Sequence, residues 1–284
     1  MKKIFFYFFI SAHLFGLPLN NPKIASLAGE GIFFDSFGYT PPNCWDMLSV
    51  RTGYYGDFTF NNYMQLAKDN GSIRCTQIYT NGGEIDVNLW NRVEVYGVLG
   101  ATKILIHSTL KHFLPEFSED FSPSINFDIQ GESAFSWSVG ARGTIWECGR
   151  FAIGAEGQYF ATNPDINFLR DDYGGCSTYV DGESLSYRSW QGALGITYLI
   201  PFGSCCDFYP YLGGVYEGAR LKMGDYRREL SALNESVQLL DLKKERNWGY
   251  VIGSTLLGGE RVIVTAEGRF AYETAFFFSV QMRL

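Results

Sequence analysis

Residues Thr274–Leu284 read TAFFFSVQMRL, and their alternation sets the fold. On a period of two, Phe276, Phe278, Val280, Met282 and Leu284 fall on one face, and Ala275, Phe277, Ser279, Gln281 and Arg283 on the other. The ends of water-soluble domains are by default polar and frayed, so a last strand finishing on its apolar face suggests that this face meets hydrocarbon. Bacterial outer-membrane barrels close on such a strand.

The same period recurs upstream. Within Ser49–Phe60, Val50, Thr52, Tyr54, Gly56, Phe58 and Phe60 oppose Arg51, Gly53, Tyr55, Asp57 and Thr59. Within Ala134–Trp146, Phe135, Trp137, Val139, Ala141 and Ile145 oppose Ser136, Ser138, Arg142 and Thr144. Phe151, Ile153, Ala155 and Tyr159 oppose Ala152, Glu156 and Gln158; Val262, Val264, Ala266 and Phe270 oppose Thr265, Glu267 and Arg269. Glu84–Trp90, Arg92–Ile106, Ser184–Ile200 and Trp248–Leu257 fit less cleanly, and Phe208–Leu221 is strand-like with no choice of face.

Charges such as Arg142, Glu156, Glu267 and Arg269 within apolar strands suit either the wet side of a soluble β-sandwich or the wet lumen of a membrane barrel. The connections decide. Short turns at Trp90–Arg92, Glu147–Arg150 and Gly258–Glu260 alternate with long segments at Asn61–Gly83, Ser108–Ser133, Thr162–Glu183 and Met223–Asn247. Loops this long are uncommon in compact soluble domains, whereas short turns on one rim and long loops on the other mark outer-membrane barrels. The expected fold is all-β: a closed antiparallel transmembrane β-barrel of about 12 strands, within roughly 10 to 16, with short periplasmic turns and longer extracellular loops. Ser72–Tyr79 and Ile125–Gln130 offer the two strands beyond the ten clear spans. Asp225–Glu245 carries helical spacing at Leu230, Leu233, Val237 and Leu240, and so predicts a short helix in its loop.

Residues 1–16 read as an export signal: Lys2 and Lys3, then the apolar run Ile4–Ile10, then small residues near Gly16. The run is shorter than the ~20 residues of a spanning helix. Residues 17–47 are expected as a periplasmic segment and residues 48–284 as the barrel. Aromatic residues make up 17% of the chain and Gly numbers 32, which suits aromatic girdles and tightly curved strands. The net charge of −7 argues against nucleic-acid partners. No G-x-S-x-G, P-loop or H-E-x-x-H motif occurs, so no catalytic residue, cofactor or metal is assigned. His107 and His112, beside Ser108 and Thr109, are read as a polar rim.

The six cysteines, Cys44, Cys75, Cys148, Cys176, Cys205 and Cys206, follow the signal and so enter an oxidising compartment. Topology puts Cys44, Cys148, Cys205 and Cys206 on the periplasmic side, and Cys75 and Cys176 in external loops where they can pair. Adjacent cysteines rarely bond each other. Cys205 and Cys206 therefore need partners, either within the chain (Cys44, Cys148) or in other proteins.

Three stretches carry a family resemblance: SVRTGYYGDFTF at Ser49–Phe60, VNLWNRVEVYGVLGAT at Val87–Thr102, and FSWSVGARGTIWECG at Phe135–Gly149. Weaker echoes follow at Trp190–Tyr198, Tyr209–Gly214 and Tyr250–Leu284. The chain resembles the chlamydial major outer membrane protein and its porin relatives, as a short member. The resemblance implies a trimer-forming porin in the outer membrane, exposed at the cell surface, and disulfide cross-links to cysteine-rich envelope proteins. Its shorter loops, and Leu284 where the family ends in Phe, are departures.

The strand phases nominate Arg51, Asp57, Arg92, Glu94, Arg142, Glu156, Glu267, Arg269 and Arg283 as pore-lining. Five positive and four negative groups suit a weakly discriminating bore. The expected function is passive diffusion of small hydrophilic solutes. The alternative is a barrel plugged by cross-lumen pairs that serves as a structural or adhesive surface protein.

Overall fold

A computed structural model describes residues 18–27, 48–67, 71–89, 92–110, 125–171, 177–178, 184–203, 206–223, 227–230, 235–238, 241–258 and 261–284. The expected export signal, Cys44, Cys176, Cys205, His112 and Trp90 lie outside these residues.

Ten strands make one closed antiparallel circuit: β1 (Leu48–Asn62), β2 (Gly71–Leu89), β3 (Val93–Leu110), β4 (Ala134–Cys148), β5 (Phe151–Thr162), β6 (Ser186–Tyr198), β7 (Cys206–Lys222), β8 (Trp248–Gly258), β9 (Val262–Phe270) and β10 (Glu273–Arg283). Each pairs with its sequence neighbours, and β10 returns to β1, where Phe58 faces Phe276 and Tyr54 faces Val280. No edge is left unpaired, which is the condition for sheet in hydrocarbon.

The circuit has ten strands, the lower end of the expected range. Ser72–Tyr79 continues β2, and Ile125–Gly131 stands outside the circuit, pairing with the far end of β3 and with Ile166–Asp171. Nor are the long connections simple loops. Met64–Leu66 pairs with Leu242–Lys244, which pairs with the end of β7, and Arg227–Leu230 forms a hairpin with Glu235–Gln238. The helix expected within Asp225–Glu245 is thus strand in its described parts; backbone pairing at the barrel mouth overrides the spacing.

Turns at the opposite rim are tight. Arg92 N donates to Leu89 O at 3.2 Å, Arg261 N to Gly258 O at 3.3 Å, and Gly149 supplies the left-handed residue (φ 57°) between β4 and β5. On the long-connection side one turn is also tight, between β9 and β10, where Ala271 takes φ 77°.

Outward positions expose large apolar side chains on every strand of the circuit: Tyr54, Ile85, Leu99, Phe135, Tyr159, Leu194, Leu212, Ile252, Val262 and Phe276. A continuous band of this kind in water would drive aggregation; in a bilayer it is the solvent-facing surface. Trp137–Tyr159 (5.6 Å), Trp190–Tyr216 (5.4 Å), Tyr216–Trp248 (4.9 Å) and Tyr250–Phe270 (4.8 Å) carry an aromatic belt from β4 to β9. Such rings suit the lipid–water interface, with an apolar body and a polar tip. Phe60 and Tyr79 add to it on β1 and β2.

Candidate functional site: the barrel interior

Pleating sends every second side chain inward. Seven of the nine nominated residues are buried there: Arg51, Asp57, Glu94, Arg142, Glu156, Glu267 and Arg269. The other two lie at the short-turn rim. Arg92 pairs with Glu147 at 3.2 Å, and Arg283 faces Arg51 across the β1–β10 seam, half-buried.

On the β1–β4 side, Arg142 is the hub. Its Nη2 donates to Asp86 at 2.8 Å and to Glu84 at 3.3 Å, its Nε to Glu94 at 2.5 Å, and Arg51 pairs with the other oxygen of Glu94. The Arg142 guanidinium also lies 4.6 Å from the centroid of the Tyr96 ring, whose hydroxyl donates to Glu156. Farther round the wall, Arg269 of β9 pairs with Asp57 of β1, two strands away, and Tyr211 donates to Glu267 at 2.7 Å. Nearer the long connections, Lys244 reaches in from outside the circuit. It pairs with Glu217 of β7 and, at 3.0 Å, with Glu273 of β10, and donates to Asn62 at 2.8 Å.

Above this latch the chemistry changes. Ile104, Ile106, Phe127, Ile129, Leu169, Leu185, Leu221, Met64 and Leu242 form one buried apolar cluster across the mouth. The interior is therefore ion-paired along its lower part and filled by apolar side chains at its upper end.

Phase reasoning missed Glu84, Asp86, Glu217, Glu273 and Lys244. The first two carried a signal, because Glu84, Asp86 and Asn88 alternate with Ile85, Val87 and Leu89. Glu217 lies on the strand whose two faces look alike, and Lys244 lies in a segment read as loop. Their inclusion changes the balance: among the described residues, the buried interior holds eight carboxyl groups against four bases. One oxygen each of Glu84, Asp86, Glu156 and Glu217 has no protein hydrogen bond, as do several guanidinium nitrogens of Arg51, Arg142 and Arg269. Buried polar atoms this numerous call for water.

Two cysteines have clear settings. Cys148 is an exposed free thiol at the β4–β5 turn. Cys75, expected in an external loop, lies on β2, and its thiol donates to Phe60 O at 3.1 Å. His107 meets Asp128 at 2.7 Å on a half-exposed surface, a pairing between β3 and the strand beside it.

Sequence comparison agrees with this geometry. The pattern of the family described as Chlamydia major outer membrane protein matches residues 2–71 and 65–173. The chain is 24% identical to the major outer membrane porin, serovar L1, of Chlamydia trachomatis, and 23% identical to the major outer membrane porin of Chlamydia muridarum. Both alignments cover 96% of each chain and run longer than this one, so the relatives carry insertions. Among solved structures, an outer membrane channel from Pseudomonas putida F1 superposes with a TM-score of 0.39 at 8% identity, covering 87% of this chain and 100% of the other. That last likeness is too loose to bear weight. With strand phases, closed circuit and matched sequence in accord, the chain is a multi-strand barrel of the outer membrane and belongs to the Chlamydia major outer membrane protein family.

Proposed function

We propose that this protein is a porin that passes small hydrophilic solutes passively and rests closed. The observation that carries the reading is the polar, ion-paired filling of the lower bore, in a family whose relatives are named porins. Ion pairs with unsatisfied partners can exchange protein contacts for water at modest cost, so such a filling can open without unfolding the wall. Among the described residues, buried acids outnumber buried bases two to one, which favours cations over anions.

The apolar cluster at the mouth favours a second reading, a permanently closed structural or surface barrel. Planar-bilayer recording separates the two. The porin reading expects discrete steps and a reversal potential favouring K⁺ over Cl⁻ in a salt gradient. Folded, heat-modifiable protein that gives no steps would support the closed barrel instead.

The exposed Cys148 thiol supports disulfide links to cysteine-rich envelope proteins from the periplasmic side. Non-reducing gels of intact envelopes should show Cys148-dependent multimers. A homo-trimer rests on the family resemblance, and detergent-corrected mass measurement tests it.

A further inference from the structure

Pro18–Leu27 runs inside the cylinder, at the short-turn end, and ends in the single helical turn Ile24–Leu27. Leu19, Asn20, Asn21, Ile24 and Ala25 are all buried. The wall grips this segment mainly by its backbone. Leu19 N and Asn20 N each donate to a different oxygen of Glu267, both at 3.0 Å. Gln191 donates to Pro18 O at 3.2 Å, Thr144 to Pro22 O at 3.1 Å, and Asn88 to Ala25 O at 2.5 Å. Those four wall residues come from β9, β6, β4 and β2, so the grip encircles the segment. Lys23 adds an ion pair to Glu147 at 2.6 Å.

The wall is also shaped for the segment. A Cβ at Gly195 would stand 2.9 Å from Pro22 Cγ and 3.0 Å from Leu19 Cδ2, and one at Gly154 would stand 2.4 Å from Pro22 O. Real Cβ atoms essentially never come closer than 3.0 Å to such a neighbour. Leu19 fills an apolar socket formed by Ala193, Tyr211, Val215, Val251 and Tyr272. None of the described residues of 18–27 joins the ten-strand circuit, so the wall does not need them for its own pairing.

We propose that this inner wall is a binding site for a peptide segment, that its occupant is the chain's own Pro18–Leu27, and that the occupant is a removable stopper of the lower bore. The stopper role rests on the porin reading; the binding site does not.

Hydrogen exchange on the full chain in lipid nanodiscs tests the site. The amides of Leu19 and Asn20 should exchange about 100-fold more slowly than in a free peptide. Gly195→Val should bring them close to the free rate while β1–β10 stay protected. Glu267→Gln, which keeps the shape but weakens the acceptor, should give an intermediate rate. Free-peptide exchange in the parent protein, or unchanged protection in Gly195→Val, would overturn the site. In planar bilayers Gly195→Val should open more often, or in larger steps, than the parent; equal conductance would overturn the stopper role. Silence from both proteins would sink the porin reading and the stopper role, leaving the exchange result to judge the site.

Discussion

The lower and upper parts of this interior are built by the same strands and filled by opposite chemistry. Below, Arg142, Arg269 and their carboxylates pair along the inner wall around a hydrogen-bonded peptide. Above, Ile104, Ile106, Phe127 and Leu221 pack into an apolar cluster. Inward-pointing residues need only avoid lipid, so either filling satisfies the barrel. The difference is in what each does to water. A polar filling can rehydrate, whereas parting an apolar one exposes hydrocarbon at about 25 cal/mol per Å². The upper filling therefore costs more to part than the lower one.

Lys244 joins the two parts, and breaking it should have the largest effect. Lys244→Ala leaves Glu217 and Glu273 buried without their shared cation and should cost about 3–5 kcal/mol in urea unfolding from bilayers. Lys244→Met with Glu217→Gln and Glu273→Gln should recover most of that loss. Within the upper part, Ile104→Ala should cost about 2–5 kcal/mol. It should also raise spontaneous opening, which an equivalent loss of stability elsewhere should not do.

The outer wall gives the next contrast. Leu212 is 59% exposed, so in a soluble protein Leu212→Arg would be close to neutral. Facing lipid it should cost about 2–4 kcal/mol, measured by the same unfolding assay. The smallest effect is at the β9–β10 turn. Ala271→Gly relieves a left-handed alanine and should stabilise by up to about 1 kcal/mol.

The contrast between the two fillings also explains what the sequence could tell. Where the interior is polar, alternation named both faces: β1, β4, β5, β9 and β10 have their inward and outward residues as the periodicity assigns them. Strand β7 resisted because Tyr209, Tyr211, Val215 and Leu221 point inward while Leu212 and Tyr216 point outward, leaving no polar contrast. The two candidate strands beyond the ten of the circuit lie elsewhere for a related reason. Ile125–Gly131 alternates like a barrel strand, yet it turns Phe127 and Ile129 into the apolar cap. The seat of residues 18–27 left no periodic trace, because it is made of glycines and single hydrogen-bonding groups scattered over six strands.

The central claim is that the outer face of the cylinder is solvated by acyl chains. Its most direct test is removal of detergent from the folded, delipidated protein, with circular dichroism and the fraction left in solution after ultracentrifugation as readouts. The account predicts sedimentation or loss of β content unless bilayer is supplied. Monomeric protein that stays dissolved in plain buffer with its strands intact would contradict it.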